Sequence, residues 1–332
     1  MTAKMKRREF ITLLGGAAAW PLTARAQQPE RMRRVGVLMA YRPGDPEMQA
    51  RVQALQQELQ RLGWTKGVNI QFDERWTTDD MELVRAHAVN LVELNPDVIV
   101  TTGGRVVPIF IQLTRSIPII IPGTGDPVQT GWVQSLARPG GNVSGFTFFE
   151  ASVLGKMLEI LQQIAPGTSR VAVIYNPDNA ANAYALRLTE GFAQSLGIDL
   201  VLAPFRRIAE LERTLEPMAK RGNAAIFSIP DLTVYQMRAQ ITELAARLRL
   251  PAIYPDRIMM TSGGLASYDA DRIDIYRGAA SYVDRVLRGE KVGDLPFQQP
   301  TKYQLTINLT TAKALGLDVP PTLLARADEV IE

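Results

Sequence analysis

Two short apolar runs, Val98-Ile99-Val100 and Ile119-Ile120-Ile121, limit what this chain can fold into. Each is too short for a core helix and is bounded by breakers, the pattern of parallel strands buried on both faces. Asp97–Val100 runs into Thr101-Thr102-Gly103-Gly104, and Ile117–Ile121 runs into Gly123-Thr124-Gly125-Asp126, with a helix expected between them. Each strand thus delivers a polar, glycine-containing turn to the carboxyl edge of a sheet, where open α/β sheets bind ligands. Together the two turns frame a pocket for a small polar molecule. Neither carries a catalytic side chain.

A chain of 332 residues is longer than one typical hydrophobic core and suits two domains. It has no cysteine and one histidine, His87, expected as a structural residue of a helix over 80–94. Thiol nucleophiles, disulfides, Cys-ligated zinc, iron-sulfur clusters and multi-His metal sites are therefore excluded, and no metal or cofactor is expected. The pI of about 9.1 would hint at nucleic acid. In the first 26 residues, however, Lys4, Lys6, Arg7, Arg8 and Arg25 face only Glu9, a net of +4 that leaves −1 for the rest of the formal +3. The basic character belongs to the leader, and no nucleic-acid partner is expected.

Residues 1–26 have the parts of an export signal: a basic start, the apolar Phe10–Trp20 segment, and Ala24-Arg25-Ala26 as a small-x-small cleavage site. The apolar segment is too short for a membrane anchor. Arg7-Arg8-Glu9-Phe10-Ile11 resembles the twin-arginine core, although Lys6 stands where Ser or Thr is usual. Cleavage after Ala26 would leave the mature protein free in the periplasm.

Along the mature chain, Arg34–Met39 predicts a strand, Pro46–Leu62 a helix stopped by Gly63, Val68–Phe72 a strand and Asp79–Leu94 a helix. A further helix is expected around Thr130–Ala137. From Ser169 the rhythm restarts: Arg170–Ile174 mirrors Arg34–Leu38, a helix ends at Leu196-Gly197 as the first did at Leu62-Gly63, Ala224–Phe227 matches Asp97–Val100, and Leu250–Tyr254 matches Ile117–Ile121. The repeat predicts two similar α/β lobes with a cleft between facing carboxyl edges. Passages between lobes are placed at Gly145–Phe149, Leu265–Tyr268 and near Gln298–Thr306. Lobe 1 is then 33–145 plus about 269–298, and lobe 2 is 146–268 plus about 299–332. Such multiple crossovers permit hinge closure around a ligand.

Several stretches carry a family likeness: Gly125-Asp126-Pro127-Val128, Arg138-Pro139-Gly140-Gly141-Asn142-Val143-Ser144-Gly145, Pro251-Ala252-Ile253-Tyr254-Pro255, Gln299-Pro300-Thr301-Lys302 and Asn308–Leu317, together with the Arg7–Gly16 signal. In combination they resemble the ABC-transporter substrate-binding family that includes tryptophan- and tyrosine-binding proteins. The resemblance implies a type I periplasmic binding-protein fold, two Rossmann-like lobes joined by a three-crossover hinge. It also implies a monomer that delivers a small solute to ABC permease membrane subunits.

An amino acid or related carboxylate needs donors for its anion and an acceptor for its cation. Backbone amides of the two turns, with Thr101, Thr102 or Thr124 hydroxyls, suit the anion, and Gly103 and Gly104 allow close approach. Asp126 and Asp231, at strand ends, are the candidate ammonium partners; the competing reading of each is a helix N-cap, more so for Asp126, which Pro127 follows. Asn176 ends the first strand of lobe 2. Tyr41 and Tyr268 are candidates to stack on a planar ligand. Two other functions fit the same residues. One is a ligand sensor docking to a membrane signalling partner. The other is an exported enzyme using Asp126 and Asp231 for acid-base work, against which stands the lack of a G-x-S-x-G elbow or a G-x-G-x-x-G after a strand.

Overall fold

The computed structural model describes residues 31–78, 80–148 and 150–332; the leader lies outside the described residues. In the first lobe, β1 (Arg33–Met39), β2 (Ile70–Trp76), β3 (Val98–Thr101), β4 (Ile119–Thr124) and β5 (Val143–Thr147) form one sheet in the order β2-β1-β3-β4-β5. Every pairing is parallel. Helices α1 (Pro46–Arg61), α2 (Met81–Glu93) and α3 (Val107–Leu113) connect them. Asp45 begins α1 by accepting the Met48 N–H at 3.2 Å, with Pro46 in the first turn, where a missing N–H costs nothing. Asp80 caps α2 in the same way. β3 and the Ile119–Ile121 part of β4 are fully buried, as a sheet covered on both faces requires.

The second lobe runs α4 (Ala151–Ile164), β6 (Arg170–Tyr175), α5 (Asn182–Ser195), β7 (Asp199–Pro204), α6 (Ile208–Arg221), β8 (Ala224–Ser228), α7 (Leu232–Gln236), α8 (Arg238–Arg247), β9 (Ala252–Tyr254) and β10 (Ala266–Ala270). After α9 (Arg272–Leu287) come β11 (Tyr303–Asn308), α10 (Leu309–Leu315), α11 (Pro321–Leu324) and β12 (Glu329–Ile331). The second sheet is β12-β11-β10-β9-β8-β6-β7, with β11 antiparallel to β10. Its β7-β6-β8-β9-β10 part repeats the strand order of the first sheet, so the internal repeat is real in space. Strand order reverses between β1 and β3 and again between β6 and β8, and the carboxyl ends beside such points form ligand crevices.

Helix α9 packs on α1 and β4 of the first lobe, although its neighbours in sequence, β10 and β11, belong to the second sheet. The helix expected around Thr130–Ala137 does not form; residues 127–137 are turns and bends. Gly131 at φ +73° and Gly140 at φ +80° break the run, and the Trp132 and Val133 N–H groups fold back onto the Pro127 carbonyl.

Within β5, Gly145 adopts φ +150°, and a Cβ there would lie 2.2 Å from the Ile121 carbonyl oxygen. Backbone cannot yield as a side-chain tip does. Gly145→Ala is therefore expected to lower the unfolding free energy by about 2 kcal/mol, read as a shifted urea midpoint.

Candidate ligand site between the lobes

The carboxyl ends of both sheets face one cavity of about 590 Å³ of empty space, its mouth included. From the first lobe, Tyr41 after β1, the Thr102-Gly103-Gly104 turn after β3, and Thr124, Gly125 and Asp126 at the end of β4 line it. The second lobe contributes Asn179 and Asn182 after β6, Asp231 after β8, and Tyr235 on α7. Phe148, just past β5, forms a wall between them. Six of the sequence-derived candidates, Tyr41, Thr102, Gly103, Gly104, Thr124 and Asp126, thus meet in one place, with Asp231 opposite.

Three candidates do not reach it. Thr101 is fully buried and donates its hydroxyl to the Leu38 carbonyl at 2.9 Å, tying β3 to β1. Asn176 is buried in the turn after β6, donating to Thr233 Oγ1 at 2.8 Å and accepting the Asp178 N–H at 2.8 Å. Tyr268 stacks on Tyr303 with ring centroids 5.7 Å apart, beside a separate smaller cavity.

The two carboxylates differ in what they have left to offer. Asp231 caps α7 by accepting the Thr233 N–H at 2.8 Å through Oδ1, while Oδ2 accepts from Asn182 Nδ2 at 2.6 Å, Asn176 N at 3.3 Å and Asn179 Nδ2 at 3.4 Å. Its acceptor capacity is spent on holding the asparagines in place. Asp126 accepts the Val128 and Gln129 N–H groups at 2.9 and 3.0 Å, both through Oδ1. Its Oδ2 accepts no hydrogen bond among the described residues, which makes Asp126 the carboxylate available to a cation in the cavity. Tyr235 adds a buried hydroxyl without a partner among the described residues, and burial raises its pKa well above the ordinary phenol value. A ligand hydrogen bond there would satisfy a group otherwise left at a cost.

Asn179, Asn182 and Tyr235 were not singled out from the sequence. Asparagines ahead of a helix look like turn formers, and a tyrosine in an apolar segment looks like core. The one signal for them is the run Asn176-Pro177-Asp178-Asn179 at a strand's carboxyl end.

The lobes touch across the cleft. Arg238 of α8 donates to Asp45 at 2.6 Å, Gln236 donates to the Ala40 carbonyl at 2.6 Å, and Gly104 sits so near Asn179 that a Cβ would fall 2.5 Å from its Oδ1. Deeper in, Asp256 after β9 accepts both ends of the Arg51 guanidinium of α1, at 2.7 and 3.1 Å, and lies 3.3 Å from Arg272 Nε of α9. Burial pushes Asp256 up, but the two guanidiniums outweigh it and hold its carboxyl below the ordinary range.

Asp269, at the end of β10, is buried beside this group, and burial together with the Asp256 charge pushes it up to about 7. A carboxyl that keeps its proton in the folded chain favours folding at low pH, and that advantage is lost as pH rises from the unfolded value of 3.8 through about 7. Asp269→Asn, whose amide oxygen can still accept the Arg257 N–H, is expected to remove this slope. Urea midpoints of the two proteins should converge near pH 4 and separate in favour of the variant by pH 8.

Fold and site define a two-lobed protein that encloses a small ligand. Residues 39–331 match the model of the family described as ABC transporter substrate binding protein, and the chain belongs to that family. It is 26% identical over 259 residues, 78% of this chain and 74% of the relative, to a tyrosine-binding protein of Clostridioides difficile strain R20291. Its fold is similar to a conserved domain protein from Vibrio cholerae O1 biovar El Tor strain N16961, with TM-score 0.84 and 27% identity over 90% of this chain and all of that one. It is similar too to an ABC domain from Streptococcus pneumonia in complex with L-Trp, with TM-score 0.83 and 21% identity over 90% of this chain and 99% of that one. The family is one of substrate-binding proteins and not of enzymes, so the acid-base reading of Asp126 and Asp231 falls. The fold is that of type I periplasmic binding proteins.

Proposed function

We propose that this chain captures an amino acid of the aromatic class by closing its two lobes, and delivers it to an ABC permease from the periplasm. The observation that carries the reading is the unspent Oδ2 of Asp126, a residue lining a cavity walled by Tyr41, Phe148, Tyr184 and Tyr235. A carboxylate oxygen without donors suits an ammonium group, and aromatic walls suit an aromatic ring. The tyrosine-binding relative and the L-Trp complex of the structural neighbour support this class. Export rests on the leader and on the family's usual location; among the described residues no helix is long and apolar enough to cross a membrane.

Thermal-shift and calorimetric screening of L-tyrosine, L-tryptophan and phenylalanine against aliphatic amino acids tests the ligand class. A saturable rise in melting temperature with an aromatic member, at one site per chain, is expected; a response to aliphatic members alone would refute the aromatic assignment. Delivery is tested by adding the liganded protein to a reconstituted ABC permease, whose ATP hydrolysis should rise.

Closure itself has a sensitive point at Gly104. Its φ lies outside the left-handed region, so the first lobe tolerates a side chain there, whereas the closed pair of lobes does not. Gly104→Ala should leave the urea midpoint of the unliganded protein nearly unchanged and weaken ligand affinity by roughly tenfold, through a lowered population of the closed form.

A further inference from the structure

Arg272 opens α9 where the chain returns to the first lobe, and it is only 5% exposed. Its Nη2 donates to the Pro255 carbonyl at 2.8 Å, yet Nε and Nη1 make no hydrogen bond among the described residues. Nε at least lies near Asp256, whereas Nη1 has no anion of its own. A guanidinium is built to give a two-pronged grip on a carboxylate, and burying one half-used is costly. What covers it is the Phe148 ring, whose centroid is 4.1 Å from the guanidinium carbon. Phe148 also lines a second, much smaller crevice together with Val153, Leu154, Met157, Asp269 and Arg272. Turning the ring aside would open the guanidinium to the main cavity.

Resting on the proposed amino-acid reading, we infer that Arg272 anchors the ligand's carboxylate and that Phe148 is the movable wall that uncovers it. The charges around Arg272 fit this role. Asp256 is shared between the Arg51 and Arg272 guanidiniums. Arg272 Nη1 is left without a partner among the described residues, and a bound carboxylate can take it. With the ring turned aside, the ammonium at Asp126 and the carboxylate at Arg272 would lie together where Phe148 now stands between the two residues. The backbone turns after β3 and β4 then surround the ligand rather than grip its anion.

The test compares L-tryptophan and L-tyrosine with tryptamine and tyramine, which lack only the carboxylate, by calorimetry on native protein, Arg272→Lys and Phe148→Leu. The native protein should prefer each acid to its amine. Arg272→Lys keeps a cation beside Asp256 but loses the fork; it should weaken the acids by about tenfold and leave the amines unchanged. Phe148→Leu removes the stacked ring without emptying the wall, and the preference for acids should persist or widen. Equal losses for acids and amines in Arg272→Lys would make the arginine a structural residue and overturn the proposal, as would loss of the acid preference in Phe148→Leu. Acids and amines binding the native protein alike would also overturn it while leaving the aromatic reading standing. Binding of neither pair would overturn both.

Discussion

Replacing Asp256 with alanine is expected to cost about 3–5 kcal/mol of unfolding free energy, because it leaves two buried guanidiniums without their counter-charge. Arg51 and Asp256 side chains are 7% and 1% exposed, so water cannot take over the lost interaction without opening the lobes. Asp256 also caps the 3-10 turn at Arg257–Ser262, accepting the Ile258 N–H at 2.9 Å. Asp256→Asn separates the two roles, since its amide oxygen can still cap while its charge is gone. The asparagine variant should retain most of the loss, and the difference between the two, about 1 kcal/mol, measures the cap. A double variant, Asp256→Ala with Arg51→Met, should be markedly less unstable than the two single losses added, because the second change removes one of the stranded charges. Urea unfolding of the four proteins reads all of this. Additive losses would mean that the Arg51–Asp256 pair contributes nothing as a pair.

The second large effect is on binding. Asp126→Asn keeps an oxygen for the Val128 and Gln129 N–H groups, so the turn after β4 should form as before. What changes is the atom facing the cavity, from a carboxylate oxygen to an amide that donates. Affinity for an aromatic amino acid is expected to fall by roughly 10- to 150-fold, the loss of about 1.5–3 kcal/mol for a charge-assisted hydrogen bond. The same variant should bind 3-indolepropionate, which lacks the amine, no more weakly than the native protein does. A uniform loss for amino acid and amine-free analogue would place the ammonium elsewhere. Asp231→Asn offers the contrast: its carboxylate oxygens are already taken by Thr233 and three asparagines, so its loss should appear in stability before affinity.

Much of the architecture was legible in the chain because strands buried on both faces leave a plain trace. Val98–Val100, Ile119–Ile121 and their counterparts in the second half are apolar, short and ended by turn residues, and their order alone placed the glycine-rich turns at one edge. The error at Thr130–Ala137 has a related cause. A βα rhythm predicts a helix after every strand, but the run after β4 is broken into turns at Gly131, where φ is +73°. At the site, glycine turns are visible because backbone demands a residue type there. The choice between Asp126 and Asp231 was not visible, because both read as N-cap candidates and only the count of donors around each carboxylate separates them. Arg51, Asp256 and Arg272 were hidden for a third reason: the Arg51–Asp256 pair spans 205 positions, and no spacing rule links charges that far apart.

The central claim is that the cleft between the lobes holds one small ligand and that its contacts include Asp126. Native mass spectrometry of the protein isolated from its own periplasm tests this most directly. The account predicts a one-to-one complex with an aromatic amino acid, released on denaturation and greatly depleted in Asp126→Asn. An empty native protein that also fails to take up any added aromatic amino acid, or a complex equally populated in Asp126→Asn, would contradict it.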